Sequence, residues 1–374
     1  MMERIIVGTD IGGTFTDFVV IEGDQLLIHK VPSDPSNHAK PIASGLELFT
    51  LPDDAVIVHG STVATNTLLE RKGATTALIT TLGFEDVLEI GRQTRLNLYD
   101  LHYRALEPLV QSEFRIGVSE RVDAKGNIIT KLPQKEIEKA LAKVRQLGVD
   151  SVAVCLLFSF LRPEHEEEIK LALHRLMPDI FLSISSEILP EFREYERMST
   201  VTVNSYVGPV VSRYLERIEE TVQRPVRVMQ SSGGSVTMEL VRKQPVRTIL
   251  SGPAGGVIGA SFIGEKAGFT NLISLDMGGT STDVSLFPGR LQTTNLSTVG
   301  GIPIGVPMID IQTVGAGGGS LARLDIGGAL TVGPESAGAD PGPACYGKSD
   351  LITVTDANLI LGRILPDKFL GGRM

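Results

Sequence analysis

The sequence has no tryptophan, only two cysteines and only six histidines in 374 residues. Two thiols cannot build a disulfide framework, and Cys155 sits in the apolar string "VAVCLLF", which reads as a buried strand in a reduced, cytoplasmic protein. No histidine pair shows the H-x-x-x-H spacing of a zinc site. Long hydrophobic runs are missing too. The longest clearly apolar stretch, residues 152–158, is far too short to cross a bilayer, and the opening "MMERIIVGTDIGG" lacks a signal-peptide core. Positive charge is in the minority. A net charge of −9 argues against a nucleic-acid binder, which needs a basic face to neutralise phosphates. The expectation is a soluble cytoplasmic protein with neither a nucleic-acid nor a membrane partner, and 42% hydrophobic content is ample for two or three domains.

Glycine, by contrast, is plentiful: 40 residues, thickening toward the C-terminal half. "RIIVGTD" predicts a buried strand, "TFTDFVVIE" its return and "DQLLIHKV" a third. The first link is then a tight hairpin, not the strand-to-helix turn of a dinucleotide-binding domain. "DAVIVHGSTVATNTLLERKG" predicts strand, turn and a helix that Gly73 stops, and "ATTALIT" another strand. In "QKEIEKALAKVRQLG", Ile137, Leu141 and Val144 share one stripe of a helix ending at Gly148. "SVAVCLLF" and "IFLSISS" predict strands around the helix "PEHEEEIKLALHRL", whose cluster "EHEEE" is expected to be an exposed face and not a metal site. "EFREYERMSTVTVNSYVG" and "PVVSRYLERIEETV" read as two helices parted around Gly208 and Pro209. The alternation predicts a mixed α/β protein, divided near residue 186 into segments 1–185 and 186–374.

The string with most chemistry is "GTDIGGTFTDFVV", residues 8–20, because "LDMGGTSTDVSLF" repeats it at residues 275–287. Asp10, Gly12, Gly13, Thr14, Thr16 and Asp17 match Asp276, Gly278, Gly279, Thr280, Thr282 and Asp283 in register. Glycine has no side chain, so the main chain can approach a bulky anion and point successive N–H groups at it. The threonine hydroxyls would add hydrogen bonds to phosphate oxygens. An aspartate beside phosphate is repulsive unless a cation lies between, so Asp10 and Asp276 suggest Mg²⁺ held largely through water. Two such hairpins would hold a triphosphate from both sides. A single copy would pass as an ordinary β-turn; the ordered repeat argues against that.

These paired motifs resemble the phosphate loops of the actin-like (ribonuclease-H-like) ATPase superfamily, and "SGPAGGVIGA" resembles its connecting helix. Together with "HGSTVATNTLLERKGA", "TVGAGGGS" and "GPESAGADPGPACYG", they resemble the hydantoinase A and 5-oxoprolinase family over essentially the whole chain. The resemblance implies mixed sheets flanked by helices, ATP and Mg²⁺ as cofactors, a hydantoin or 5-oxoproline type cyclic amide as substrate, and a partner subunit of hydantoinase B type. It implies catalytic and metal roles for Asp10 and Asp276. Phosphate contacts would come from Gly12, Gly13, Thr14, Thr16, Gly278, Gly279, Thr280 and Thr282. Family members usually continue well past the second loop, so the C-terminal part is expected to be cut short. Two alternatives stand beside the hydrolase: the ATP-using subunit of a ketone carboxylase, and a non-catalytic actin-like binding module.

Other candidates stay open between two roles. His59, Ser61, Thr62, Thr65 and Asn66 in "HGSTVATN" read as ligand groups at a strand end or as a helix cap. Gly317 and Gly318 in "GAGGGS" read as a nucleotide contact or a plain loop; no lysine follows, so it is not a Walker loop. Cys345 is a nucleophile or a buried thiol, and Asp310 a cleft group or a solvated carboxylate.

Overall fold

The computed structural model describes residues 5–11, 15–23, 25–33, 39–52, 54–94, 99, 102, 106–338 and 340–367. By contacts the chain forms two compact units, Met1–Gly252 with Thr294–Met308, and Pro253–Thr293 with Ile309–Met374. A cut near residue 186 follows the motifs along the sequence; this partition follows packing.

The first unit opens with an antiparallel meander of β1 (Ile6–Ile11), β2 (Phe15–Glu22) and β3 (Gln25–Pro32), followed by α1 (Ala39–Leu46), β4 (Val56–Gly60) and α2 (Val63–Leu69). Next come β5 (Thr76–Thr81), α3 (Val87–Ile90), β6 (Arg115–Val118), the small hairpin β7 (Arg121–Val122) and β8 (Ile128–Thr130), and α4 (Gln134–Leu147). Then follow β9 (Ser151–Cys155), α5 (Glu164–Leu176), β10 (Phe181–Ile184), α6 (Ser185–Ile188), α7 (Glu194–Val222), β11 (Val226–Met229), β12 (Ser235–Thr237) and α8 (Met238–Lys243). They build a six-stranded sheet, β12-β11-β4-β1-β2-β3, and a four-stranded one, β10-β9-β5-β6, in which every neighbouring pair is parallel.

One core joins Val7, Phe18 and Ile57 of the larger sheet to Val201, Val207, Leu215 and Ile218 of α7. The other joins Ile79, Val152 and Val154 to Ile137, Leu141 and Val144 of α4 and Ile169 and Leu173 of α5. Each such side chain contributes roughly 1.5–3 kcal/mol when fully buried.

Two sequence expectations are corrected here. The two helices expected around Gly208 and Pro209 are one, the 29-residue α7, with Pro209 inside it. An interior proline costs about 3 kcal/mol. The helix survives because every residue from Glu196 to Gly208 is buried, so packing outweighs local preference. Gly208 is part of that packing: a Cβ there would lie 2.2 Å from the Phe181 ring. The "EHEEE" cluster is an exposed face only in part: Glu167 and Glu168 are exposed, but His165 and Glu166 are buried. Glu166 accepts hydrogen bonds from Leu156 N, Ser186 N and the hydroxyls of Ser185 and Ser186. The imidazole of His165 accepts from Leu132 N through Nε2 and so donates through Nδ1 to Glu120, 2.9 Å away, which also takes the Thr81 hydroxyl. The charge pattern suggested solvent because these partners come from distant strands and loops. Among the described residues no acidic, histidine or cysteine cluster could hold a metal alone.

The second unit contains most of α9 (Ser251–Lys266), then β13 (Asn271–Met277), β14 (Thr282–Pro288) and a strand at Gln312–Val314, which pair in that order. A further hairpin, Ser320–Leu324 with Leu330–Ser336, and helix α10 (Val354–Ile360) complete it. Its core is small, with Ala254, Val257 and Ile309 at the centre. Among the described residues no helix is long and apolar enough to cross a membrane.

Candidate functional site

The sequence repeat is also a repeat in register. In β1 and β2, Asp10 faces Asp17 and Ile11 faces Thr16; in β13 and β14, Asp276 faces Asp283 and Met277 faces Thr282. Directly opposed residues share one face of a sheet, and opposed like charges are destabilising. Each pair is relieved at the second aspartate. Lys30 Nζ lies 2.6 Å from Asp17 Oδ1, and the Thr313 hydroxyl donates to Asp283 at 2.6 Å. Asp10 and Asp276 themselves stand exposed beside the loops.

Small neighbours make room for both. A Cβ at Gly60, opposite Asp10 in β4, would sit 3.0 Å from its Oδ1. A Cβ at Gly256 of α9 would sit 3.9 Å from Asp276 Oδ2. Gly12, Gly13 and Thr14 lie outside the described residues. In the second loop Gly278, Gly279 and Thr280 are exposed, and a Cβ on Gly279 would meet nothing within 4 Å. Packing therefore does not require glycine at 279, whereas close approach by a ligand would.

The next threonines are turned toward protein. Thr16 is buried with its hydroxyl 3.0 Å from that of Ser33, and the buried Thr282 hydroxyl donates to Ala316 O at 2.5 Å. Gly317 and Gly318 belong to an ordered buttress behind the second hairpin. Gly318 N donates to Gly278 O at 2.8 Å and Gly319 N to Gly279 O at 2.6 Å. A Cβ at Gly317 would lie 2.7 Å from Gly278 O and 2.8 Å from Ser281 N, so two main chains touch where only glycine fits.

"HGSTVATN" is a structural junction. His59 is fully buried, with Nδ1 2.9 Å from the Thr9 hydroxyl and Nε2 2.5 Å from the Tyr214 hydroxyl. It ties β4 and α7 to the residue preceding Asp10. Burial, reinforced by the nearby Asp10 charge, pushes the Tyr214 hydroxyl well above its ordinary pKa, against a hydrogen bond with Ser61. Thr65 accepts from Leu250 N at 2.8 Å, and Ser61 O accepts the Ser251 hydroxyl at 3.1 Å, anchoring the start of α9. Thr62 and Asn66 bond each other at 3.3 Å. Asp310 is exposed and accepts from Gln312. The Cys345 thiol is pushed up to about 11 by burial and by the adjacent Asp356, so it is protonated at neutral pH. Sequence reasoning missed Tyr214, because nothing local distinguishes it from other buried positions of α7.

The hydantoinase/oxoprolinase N-terminal region model matches residues 6–177, and the hydantoinase/oxoprolinase model matches residues 197–374. The chain belongs to the hydantoinase/oxoprolinase family. Within that family it is 39% identical to an uncharacterized protein of Methanocaldococcus jannaschii over 98% of this chain and 58% of the relative. It is 38% identical to the caprolactamase subunit alpha of Pseudomonas jessenii over 99% of this chain and 56% of that subunit. The crystal structure of that ATP-dependent caprolactamase superposes with a TM-score of 0.83 at 37% identity, over 96% of this chain and 55% of the other. Acetone carboxylase, solved without nucleotide, gives 0.80 at 29% identity over 99% and 56%. The fold is the actin-like one that caprolactamase and acetone carboxylase share. The chain spans a little over half the length of these relatives.

Proposed function

We propose that this chain is the ATP-using part of an enzyme that opens a cyclic amide. The observation that carries the reading is the shared register of the two hairpins, which places one exposed aspartate beside each glycine loop. The likeness to a caprolactamase subunit supplies the substrate class. ATP is the proposed cofactor, gripped by the loop amides of Gly12, Gly13, Thr14, Gly278, Gly279 and Thr280. The hydroxyls of Thr16 and Thr282 brace the hairpins, and Gly317 and Gly318 hold the second loop in shape. Asp10 and Asp276 fit a hydrated Mg²⁺, which takes one or two carboxylates and completes its shell with water and phosphate oxygens. When bound, the metal would supply charge neutralisation on the phosphates.

The chemistry explains the need for ATP. An amide carbon is a poor electrophile and its nitrogen a poor leaving group. The amide oxygen attacks the terminal phosphorus, an O–P bond forms and ADP departs. Water then adds to the activated carbon, the C–N bond breaks with a proton going to nitrogen, and a second water releases phosphate from the acyl group. For the phosphoryl step the protein has mainly to position groups and neutralise charge. A partner subunit, of hydantoinase B type in this reading, would carry the part of the reaction that this chain does not. The segments 1–185 and 186–374 are proposed as the two sequence modules, each with one loop, and the cytoplasm as the compartment.

The test is ATP turnover against a panel of lactams and hydantoins, with and without a co-expressed partner. Stimulation by at least one ring amide supports the reading. A second reading, the ATP-using subunit of a ketone carboxylase, is favoured by the likeness to acetone carboxylase, though at lower identity than to caprolactamase. Stimulation by bicarbonate plus a ketone, and by no lactam, would replace the first reading with the second. Calorimetry that detects no Mg-ATP binding would leave only the non-catalytic module.

A further inference from the structure

Three hydroxyls and one imidazole, all buried in the first unit, form a line of hydrogen bonds. It runs from the Thr9 hydroxyl to His59 Nδ1 at 2.9 Å, from His59 Nε2 to the Tyr214 hydroxyl at 2.5 Å, and from that hydroxyl to Ser61. None of the four residues is more than 8% exposed. The line starts at the residue before Asp10 and ends at the residue after Gly60, and Asp10 and Gly60 face each other across β1 and β4. A Cβ at Gly60 would already crowd the Asp10 carboxylate, so β4 leaves it little room on that side. The line therefore brackets Asp10 from both strands at once.

Holding the strands together does not require such a line. Buried polar groups cost free energy unless their hydrogen bonds are met, and an apolar filling of the same volume would pack the strands as well. The sequence repeat shows that the hairpin can do without it, because the second copy has Leu275, 66% exposed, at the position of Thr9. What the line adds is direction. A neutral imidazole has one N–H and one lone pair, so it sets the orientation of the hydroxyl on either side, which bulk alone does not. The far end is anchored on α7, where Val211, Leu215 and Ile218 around Tyr214 are all at most 3% exposed. Tyr214 cannot shift without moving a 29-residue helix, and it lies close enough to Asp10 to feel its charge.

We propose that His59 and Tyr214 are positioning residues for Asp10: they hold its carboxylate in one place through Thr9 on β1 and Ser61 after β4, without touching a ligand themselves. Functional side chains work within about 0.5 Å of their productive place and keep to it through neighbours locked by packing and hydrogen bonds. The second hairpin, with Leu275 before its aspartate, has no counterpart of Thr9 from which to build such a line. The role of Asp10 rests on the ATP reading above; the hold of the line on Asp10 does not.

The experiment compares Tyr214→Phe, Thr9→Val and Thr9→Ser with Tyr206→Phe, which alters another buried tyrosine of α7 outside the line. Tyr214→Phe and Thr9→Val keep the side-chain shape and each remove one hydroxyl; a thermal melt verifies that they fold. In the nucleotide-free chain, ¹³C NMR follows the carboxylate carbon of Asp10, identified by its loss in Asp10→Asn. Its resonance should move in Tyr214→Phe and Thr9→Val and stay in place in Thr9→Ser and Tyr206→Phe. Calorimetry then uses Mg²⁺ with a non-hydrolysable β,γ-imido analogue of ATP as the probe. Tyr214→Phe and Thr9→Val should each weaken its binding about 10–100-fold, the scale for removing a group that orients a metal ligand, and Thr9→Ser should keep wild-type affinity. An Asp10 resonance that answers to Tyr214 in a wild type that binds no probe would end the ATP reading and leave the positioning role standing. An Asp10 resonance no more sensitive to Tyr214 and Thr9 than to Tyr206, or a wild-type probe affinity retained in both variants, overturns the proposal.

Discussion

The two glycine hairpins have the same register but different supports. The first lies on a six-stranded sheet whose inner face carries Val7, Phe18 and Val20, all at most 2% exposed. The second lies in a three-stranded sheet, with Ile273 and Leu275 of β13 at 68% and 66% exposure. The first is held in shape by side-chain packing; the second is held from behind by peptide-to-peptide hydrogen bonds from residues 317–319. One strand register can therefore be supported in two ways: by packing side chains beneath the strands, or by bringing a second main chain so close that side chains are excluded.

The largest test of that contrast is Phe18→Ala against Leu275→Ala. Loss of a fully buried phenylalanine should cost about 3–5 kcal/mol, whereas truncating the exposed leucine should stay within about 0.5 kcal/mol. Urea unfolding followed by hydrogen exchange in each hairpin would measure both. Equal losses would show that β13 is as firmly packed as β2, against the contrast drawn here.

Function should be more symmetric than stability. If each loop serves ATP, Asp10→Asn and Asp276→Asn should each lower turnover by about 10²–10³-fold, the scale for loss of one preorganised charge-stabilising group. Melting temperatures should barely move, since both carboxylates are exposed. An Asp276→Asn enzyme with full turnover would leave the second hairpin a structural copy only.

The glycines separate the two roles within a single loop. Gly317→Ala places a methyl 2.7 Å from Gly278 O, and backbone cannot swing aside as a side chain does. Overpacking of this kind should cost about 1–3 kcal/mol. Gly279→Ala meets open space and should leave stability within about 0.5 kcal/mol while raising KM for ATP. Loss of stability at 279, or none at 317, would reverse the assignment.

Local pattern made the strands and the hairpin repeat readable, because alternation and the Asp-x-Gly-Gly-Thr order are properties of neighbours along the chain. The amphipathic α4 was equally plain: Ile137, Leu141 and Val144 are buried as the spacing requires. The continuity of α7 across Pro209 was not legible, since it depends on burial supplied by β9, β10 and α1. The burial of His165 and Glu166 escaped for the same reason: their partners lie on the β6–β7 link, the β8–α4 link and α6. At the candidate site, the aspartates and loop glycines were visible in sequence. The anchoring role of "HGSTVATN" and the buttressing role of "GAGGGS" were not, because each depends on contacts with residues remote along the chain.

The two cysteines give a last and smaller comparison between the units. Burial pushes both thiols from 9.0 to about 11, Cys155 on β9 inside a core and Cys345 beside the Asp356 carboxylate. Between pH 9 and 11 the unfolded chain gives up these protons while the folded chain keeps them. The unfolded state then binds fewer protons, so stability should fall as pH rises through that window and be unaffected by thiol ionisation below it. The units should differ in access. Iodoacetamide should label the partly exposed Cys345 in the native protein, with a rate still climbing at pH 10, and reach Cys155 only on unfolding. The attacking species is the thiolate, so the rate profile reports the pKa directly. A Cys345 rate that levels off near pH 9 would mean that neither Asp356 nor burial holds its proton.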